Sequence, residues 1–171
     1  QQTQLDFTMY EKNEDVGGVW WENRYPGCRL DTPNFAYSLS FAQKQDWPPQ
    51  FSRQPEIQSY LATVATASGL RRHIRFGTEV DKMRFNEDRA TWTLSVRDSS
   101  GRVTQEEFNA VITAVGILSR PSLPDIPGLE SFQGRIIHSA AWPKGLDLKG
   151  KRVAMVGTGA SAFQIGPSIV D

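Results

Sequence analysis

The chain has 171 residues, of which 39% are apolar and 22% charged, an ordinary composition for a folded globular protein. Its 19 basic and 19 acidic residues cancel, and its longest apolar runs are strand-sized, so neither a nucleic acid nor a membrane is an expected partner. The single cysteine, Cys28, allows no internal disulfide, which predicts a reducing, cytoplasmic location.

The first predicted element is a strand over residues 5–11 that ends in an acid, Glu11. In a dinucleotide-binding fold, an acid at this place binds the adenosine ribose and follows the glycine-rich turn by about 20 residues. Counting back from Glu11 puts those glycines before Gln1. We therefore expect an internal piece of a longer protein.

A segment rich in glycine and aromatic residues follows, over residues 17–31. The pair Gly17-Gly18 permits close approach of the backbone to a planar ligand, and Trp20 offers a flat apolar surface with one hydrogen-bond donor. Asp31 has two interpretations from the residues alone. It is either a turn carboxylate that caps backbone N–H groups before Pro33, or a functional carboxylate that requires a cationic partner.

The middle of the chain predicts a helix over residues 56–69 with one apolar face. Short strands and a hairpin turn at residues 99–101 are predicted next, with the strands at residues 73–76, 79–85, 91–96 and 103–108. Residues 109–116 predict another buried strand, which ends in glycine. The proline-rich residues 120–128 predict a stiff linker, because each proline restricts the residue before it.

A second nucleotide-binding unit is predicted near the end of the chain. Residues 151–156 are mostly apolar, as in a strand buried on both faces of a parallel sheet, and they run into the G-x-G-x-x-A pattern of residues 157–162. Gly157 allows a tight turn, Gly159 allows approach of a pyrophosphate, and Ala162 allows close packing of helix on strand. The free N–H groups and positive dipole end of the following helix then face the phosphates.

Residues 132–143 read Phe-Gln-Gly-Arg-Ile-Ile-His-Ser-Ala-Ala-Trp-Pro. An F-x-G-x-x-x-H-x-x-x-W-P segment leading into a dinucleotide-binding turn resembles the fingerprint of Baeyer–Villiger monooxygenases. Residues 11–31 resemble the flavin-binding segment of the same family, especially of members similar to 4-hydroxyacetophenone monooxygenase. The resemblance covers nearly the whole chain.

The resemblance implies an α/β fold made of parts of two Rossmann-like dinucleotide-binding domains, for FAD and NADPH, with a small antiparallel β element inserted. Residues 1–119 would then be a partial FAD-binding domain without its first strand and glycine turn. Residues 120–147 would be the interdomain linker with the fingerprint, and residues 148–171 the start of the NADPH-binding domain.

The activity implied is insertion of one oxygen atom of O2 next to a ketone carbonyl, through a C4a-peroxyflavin, to give an ester or lactone. The implied partners are a ketone, O2 and the rest of the same polypeptide. In the family, an arginine stabilises the peroxide anion by preorganised electrostatics, and the aspartate that matches Asp31 supports this arginine. Asp31 is therefore the catalytic candidate, and the matching arginine lies beyond the second nucleotide motif.

The resemblance also implies which residues bind the cofactors. Arg29 would lie near the nicotinamide side, and the residues at FAD, with Glu11 at the adenosine ribose and the Val80 backbone at the adenine, are Glu11, Val19, Trp20, Asp31, Tyr37 and Val80. Those at the second nucleotide are Gly157, Thr158, Gly159, Ala160, Ser161 and Gln164. The fingerprint residues, which we expect to act by positioning rather than by proton transfer, are Phe132, Gly134, His138, Trp142 and Pro143.

Two alternatives remain open at this point. A flavin N- or S-hydroxylating monooxygenase shares the two-domain scaffold, although His138 and Trp142 of the fingerprint argue against it. A non-catalytic nucleotide-binding or structural piece is the other, since the 171 residues alone are expected to be inert. No metal site is expected, because Cys28 and the two histidines stand apart in the sequence.

Overall fold

A computed structural model describes residues 5–48 and 50–170. The chain divides into two compact units: residues 1–16 with 61–116, called the first unit, and residues 17–60 with 117–171, called the second unit. The helices are α1 (Val19–Glu22), α2 (Asn34–Tyr37), α3 (Gln54–Ala67) and α4 (Ala160–Ser168). The strands are β1 (Met9–Tyr10), β2 (Ile74–Arg75), β3 (Glu79–Asn86), β4 (Thr91–Arg97) and β5 (Val103–Phe108).

The first unit contains a three-stranded antiparallel sheet in the order β3-β4-β5, which confirms the inserted β element. Met83 and Glu106 lie opposite Leu94 on its two sides, and a bulge interrupts the register between Val80 and Lys82. The central strand β4 buries Leu94 and Val96, as its alternating sequence predicts. The sheet is therefore built from neighbouring segments joined by short turns.

The strand predicted over residues 5–11 is reduced to the two residues of β1. They pair in parallel with β2, Met9 opposite Ile74 and Tyr10 opposite Arg75. Residues 5–8 of the predicted strand lie outside β1, whereas Glu11, directly after β1, still donates its N–H to the Arg75 carbonyl of β2 at 3.1 Å. The helix predicted at residues 56–69 is confirmed as α3, and Gly69 follows it with a positive φ of 65°.

The second unit has a small core of Tyr25, Cys28 and Ile165, against which Trp20, Trp142 and Ile169 pack. Backbone hydrogen bonds from Leu30 N–H to the Ser52 carbonyl (2.9 Å) and from Gln54 N–H to the Cys28 carbonyl (2.9 Å) fix the segment around residues 28–30. Helix α4 begins at Ala160, directly after the glycine turn, as predicted.

Two strand predictions are wrong for the chain as described. Residues 109–116 and 151–156 form no strand, and their apolar side chains are exposed, with Ile112 at 92% and Val156 at 76%. A strand needs a hydrogen-bonded neighbour. Within the described ranges 5–48 and 50–170, no segment pairs with residues 109–116 or with residues 151–156. The fold class is α/β, and the parallel pairing it requires is represented by β1 and β2.

Candidate functional site

The glycine pair ahead of α1 adopts backbone conformations that favour glycine, with φ of 129° at Gly17 and 53° at Gly18. The turn brings Trp20 beside Tyr37, whose hydroxyl accepts a hydrogen bond of 2.7 Å from the indole Nε1. The two rings meet edge to face, with centroids 5.8 Å apart. Two residues predicted to contact FAD therefore lie together, next to Val19, the first residue of α1.

The segment from Tyr25 to Asp31 lies along helix α4. Tyr25 and Leu30 are buried, whereas Arg29 and Asp31 are exposed. The Arg29 Nε donates to the carbonyl of Gly27 at 3.1 Å, and Thr32 donates its hydroxyl to Asp31 at 3.5 Å. Asp31 makes no salt bridge with any described residue. Asp31 is therefore not paired with a cation in the part of the chain that the structure describes.

Helix α4 makes three hydrogen bonds to this segment through the side chain of Gln164. Its Oε1 accepts from the Tyr25 hydroxyl and from the Arg29 N–H, both at 3.1 Å. Its Nε2 donates to the Arg29 carbonyl at 3.0 Å. Ser161, one turn earlier, donates its hydroxyl to the Tyr25 hydroxyl at 3.2 Å. Two residues predicted for the second nucleotide thus hold the segment that leads to Asp31.

Gly27 explains why the segment can lie so close to α4. A Cβ at this position would stand 2.4 Å from both the Gln164 carbonyl oxygen and the Ser168 hydroxyl oxygen, and its φ is 78°. Both the space and the backbone conformation therefore require glycine. The sequence reasoning missed Tyr25 and Gly27, although a glycine directly after Pro26 was an available signal of a turn.

The glycine turn ahead of α4 is open on the side where a ligand would approach. Gly157 has a φ of 114°, and a Cβ added at Gly157 or Gly159 would meet no atom within 4 Å. Gly159 is the N-cap residue, and no side chain caps the helix there. The first turn of a nine-residue helix therefore presents its N–H groups with glycines in front of them, an arrangement that suits a phosphate.

The fingerprint residues have distinct structural roles. The Phe132 ring lies over Gly134, where a Cβ would stand 2.4 Å from the ring, so the F-x-G spacing has a steric reason. His138 is the N-cap of the 3₁₀ helix Ser139–Ala141, and its Nδ1 accepts from the Ala140 N–H at 3.1 Å. Trp142 packs on the core of the second unit, and Pro143 follows it, half-buried. These contacts accord with positioning roles.

Glu11 and Val80 lie in the first unit. The Glu11 carboxylate accepts from the Asn13 N–H at 2.8 Å, directly after β1, while the Glu11 carbonyl accepts from the Thr78 N–H at 2.9 Å. Val80 lies on β3 opposite Val96, beside the bulge. Each occupies the end or edge of a strand, where its backbone is held in a defined conformation.

An open cleft of about 380 Å³ lies next to the segment from Tyr25 to Asp31 in the second unit. Three arginines contribute to its walls and no acid does, and its lining comprises Arg24, Tyr25, Gly27, Cys28, Arg29, Arg53, Gln54, Pro55 and Ser168. Arg24 is held by its Nε, which donates to the Trp21 carbonyl at 2.9 Å. The cleft is therefore positively charged beside Arg29, a predicted cofactor residue.

Burial controls the protonation of the two titratable groups in this core. Burial, the largest cause, raises the pKa of Tyr25 to about 12, and burial also raises the pKa of the Cys28 thiol above its usual value. Tyr25 therefore keeps its proton at neutral pH and remains a hydrogen-bond donor. Cys28 stays a thiol, which suits packing rather than nucleophilic chemistry.

Over the described residues, no group of three or more histidine, cysteine, aspartate or glutamate side chains is arranged to hold a metal ion. In the same part of the chain, no helix is both long and apolar enough to cross a membrane.

Proteins of known family match the chain over nearly its whole length. A Baeyer–Villiger monooxygenase of Streptomyces coelicolor is 47% identical over 164 residues, which are 96% of this chain and 31% of the relative. A Baeyer–Villiger monooxygenase of Pseudomonas aeruginosa is 42% identical over 169 residues, 99% of this chain and again 31% of the relative. The chain thus spans about a third of the length of these relatives.

Solved structures give the same result. OTEMO in complex with FAD and NADP is similar with a TM-score of 0.85 at 38% identity, covering 98% of this chain and 33% of that one. Cyclohexanone monooxygenase from Rhodococcus sp. Phi1 bound to NADP+ is similar with a TM-score of 0.81 at 41% identity, covering 95% of this chain and 30% of that one.

The family signature described as FMO-like, flavin-binding monooxygenase-like, matches residues 2–170. Together with the relatives, it confirms the resemblance to Baeyer–Villiger monooxygenases that the fingerprint and the flavin-binding segment predicted. The chain belongs to the flavin-binding monooxygenase-like family.

Proposed function

We propose that the chain is part of a Baeyer–Villiger monooxygenase that uses FAD, NADPH and O2 to insert an oxygen atom next to a ketone carbonyl, giving an ester or lactone. The observation that carries the proposal is 47% identity to a Baeyer–Villiger monooxygenase across 96% of this chain. The FAD and NADP in the OTEMO complex support the choice of cofactors. The single cysteine supports a cytoplasmic location.

The residues available for FAD are Glu11, Val19, Trp20, Asp31, Tyr37 and Val80. Around α1 they fit a flavin, because Gly18 leaves open space where a Cβ would be and Trp20 is held in one orientation by Tyr37. Bound there, the flavin would supply the redox chemistry that activates O2. The chain's own residues would orient the ring and limit the access of water to it.

The residues available for NADPH are Gly157, Thr158, Gly159, Ala160, Ser161 and Gln164, with Arg29 on the nicotinamide side. The open glycine turn and the uncapped start of α4 fit a pyrophosphate. The fingerprint residues Phe132, Gly134, His138, Trp142 and Pro143 would set the geometry of the linker. We propose domain boundaries at residues 119/120 and 147/148, which follow the two nucleotide motifs rather than the compact units.

Asp31 is the proposed catalytic residue of this chain. It is exposed beside Arg29, and no described cation neutralises it. Its carboxylate is therefore available to accept hydrogen bonds from an arginine elsewhere in the protein and to hold that arginine next to the flavin. A cation preorganised in this way stabilises negative charge that develops on oxygen.

The test uses the full-length protein, loaded with FAD, and a panel of ketones under ¹⁸O₂. We expect NADPH to be consumed in proportion to an ester or lactone that carries one labelled oxygen atom. Asp31→Ala should lower the rate of ester formation by about 100-fold or more, the range for loss of one electrostatic contribution to transition-state stabilisation. The matched control is Asp46→Ala, which removes an exposed aspartate paired with Lys44 in the same unit.

N- or S-oxides from amine or sulfide substrates, with no ester from any ketone, would assign the protein to the hydroxylating alternative. Equal losses for Asp31→Ala and Asp46→Ala would remove Asp31 from the catalytic role. These two outcomes are independent of each other, since the first concerns the reaction and the second concerns one residue.

A further inference from the structure

The side-chain amide of Gln164 pairs with both backbone groups of Arg29. Its Oε1 accepts from the Arg29 N–H at 3.1 Å while its Nε2 donates to the Arg29 carbonyl at 3.0 Å. This is the pairing that a neighbouring strand would offer, supplied here by one side chain of α4. Because the Arg29 N–H can only donate and the Arg29 carbonyl can only accept, they fix which end of the amide carries the oxygen, and that oxygen also accepts from the Tyr25 hydroxyl at 3.1 Å.

The contact is enforced on both sides by close packing. Gly27 leaves no room for a side chain against the Gln164 carbonyl, and the Ser168 hydroxyl donates to that same carbonyl at 2.8 Å. Leu30, the residue after Arg29, is 3% exposed and is fixed by its N–H bond to the Ser52 carbonyl. Asp31 therefore follows two residues whose backbone positions are set, one of them by α4.

The other end of the network reaches the start of α4. Ser161, the second residue of the helix, donates its only hydroxyl proton to Tyr25, and Tyr25 donates its own to Gln164. Ser161 is also one of the residues predicted to bind the second nucleotide. Because a hydroxyl donates one proton at a time, a phosphate that accepts from Ser161 would change the hydrogen bonding of Tyr25.

We infer that Gln164 is a positioning residue that couples nucleotide binding at the Gly157–Gly159 turn to the position of the segment from Tyr25 to Asp31. Helix α4 begins at that turn, so a nucleotide that orders its first residues also orders the helix from which Gln164 projects. Gln164 then transmits this order to Arg29 through two backbone hydrogen bonds, and Asp31 moves with them. The inference rests on the proposed function, because it takes the ligand of the turn to be NADP.

The experiment uses the full-length, FAD-loaded protein and NADP+ as the probe. Gln164→Met removes the donor and the acceptor at similar volume. The matched control is Gln133→Met, because Gln133 lies in the same unit, is exposed, and donates only to the nearby Ser131 carbonyl at 2.9 Å. Hydrogen–deuterium exchange of residues 25–31 is measured with and without NADP+, and the Kd for NADP+ is measured by calorimetry.

In the wild-type protein we expect NADP+ to slow exchange at the Arg29 amide. In Gln164→Met that amide should exchange about 10-fold faster without nucleotide, NADP+ should no longer slow it, and the Kd for NADP+ should rise by about 5-fold or more, the usual lower range of coupling between sites. Tyr25→Phe, which leaves the Arg29 pairing intact, should give an intermediate effect and replaces Gln164→Met if that variant does not fold. Gln133→Met should match the wild type.

Equal protection of residues 25–31 by NADP+ in the wild-type, Gln164→Met and Tyr25→Phe proteins would overturn the inference. So would an increase in the Kd that Gln133→Met shows to the same extent. Failure of the proposed function has a different signature. There the wild-type protein either binds no NADP+ or binds it without forming an ester from any ketone, while the nucleotide-free exchange of the Arg29 amide still reports whether Gln164 holds it.

Discussion

The sheet β3-β4-β5 of the first unit is built from residues close together in the sequence, whereas the core of the second unit is built from residues far apart in the sequence. Consecutive strands form the sheet, and each finds its partner across a turn of a few residues. The second core instead joins Tyr25 to Gln164, which lie 139 residues apart in the sequence. A sheet of consecutive strands contains all its pairing partners within one short stretch of sequence. A core of distant segments forms only when every one of those segments is present.

The apolar residues that remain uncovered follow from the same difference. Within the described residues, 109–116 and 151–156 have the composition of buried strands and no strand beside them. Parallel strands pair only across long connections, so such segments are completed by distant parts of a chain. Because this chain spans 31% of its relatives, we expect the partners of both segments in the rest of the full-length protein.

The largest predicted effect concerns flavin binding. We expect the isolated 171-residue chain to hold no FAD and to oxidise no NADPH, because the apolar residues 109–116, and residues 151–156 directly before the proposed NADPH turn, are uncovered in it. The full-length protein should hold about one FAD per chain. The flavin-to-protein ratio after purification measures this. Stoichiometric flavin bound to the isolated chain would contradict the prediction. It would show that the chain needs no further segments to bind FAD.

The next prediction compares one residue of the sheet with one uncovered residue. Leu94 is 4% exposed on β4, so Leu94→Ala should lower the free energy of unfolding of the 171-residue chain by about 3 kcal/mol. Ile112→Ala removes a side chain that is almost fully exposed, so it should change that free energy by less than about 0.5 kcal/mol. Urea unfolding of the two variants provides the measurement.

In the full-length protein, Leu94→Ala and Ile112→Ala should lower the free energy of unfolding by similar amounts. A loss of about 2 kcal/mol or more for Ile112→Ala there would be the sign that residues 109–116 have gained a partner strand. An equally small effect of Ile112→Ala in both chains would break the comparison, since it would leave this segment uncovered in the complete protein as well.

The range of the contacts also decides what the sequence could predict. Strands β4 and β5 and the turn between them follow from alternation and turn residues within about 20 residues of sequence, and their predicted bounds were confirmed with little change. Residues 151–156 have an equally clear apolar pattern, but burial depends on a partner that the pattern does not contain. The segment was therefore predicted as a strand and is exposed.

The site divides in the same way. The glycine turn before α4 and the family resemblance could both be predicted from contiguous sequence patterns. The pairing of Gln164 with Arg29, across 135 residues, has no local pattern, and Gln164 was predicted only as a cofactor residue. Gly27 could be read as a turn glycine, but its contact with α4 required the structure.

Gly27→Ala tests the long-range contact of the second unit directly. The added Cβ would collide with the backbone carbonyl of Gln164, which cannot swing aside as a flexible side chain would. The matched control is Gly150→Ala, since Gly150 also has a positive φ, of 68°, but nothing lies within 4 Å of its Cβ position. Both variants should lose about 1 kcal/mol from backbone strain, and Gly27→Ala about 2 kcal/mol more from the collision. Equal losses in urea unfolding would show that the segment from Tyr25 to Asp31 can move away from α4 at no cost.

The smallest predicted effect lies in the turn between β4 and β5, where one carboxylate accepts three hydrogen bonds. Asp98 Oδ1 accepts from the Ser100 hydroxyl at 2.6 Å and from the N–H groups of Ser100 and Arg102 at 2.9 and 3.0 Å. The hydrogen bond from the Ser100 hydroxyl, followed by those from the backbone, lowers the pKa of Asp98. Since the folded-state pKa lies below the unfolded value of about 3.9, this stabilisation is present above that pH and is lost as the pH falls through the folded-state pKa.

We therefore expect Asp98→Ala to lower the urea midpoint slightly at pH 7 and to differ less from the wild type as the pH falls below about 3.9. Asp98→Asn, which keeps the acceptor oxygen, should retain most of the wild-type midpoint at both pH values. Asp88→Ala, an exposed aspartate in the turn between β3 and β4, is the matched control and should leave the midpoint unchanged. If the urea midpoints of Asp98→Ala and the wild type differed by the same amount at pH 7 and below about pH 3.9, the carboxylate charge would contribute nothing to the stability of this turn. The local closure of the sheet would then rest on Gly101, whose φ is 85°, and on the backbone bonds of the turn alone.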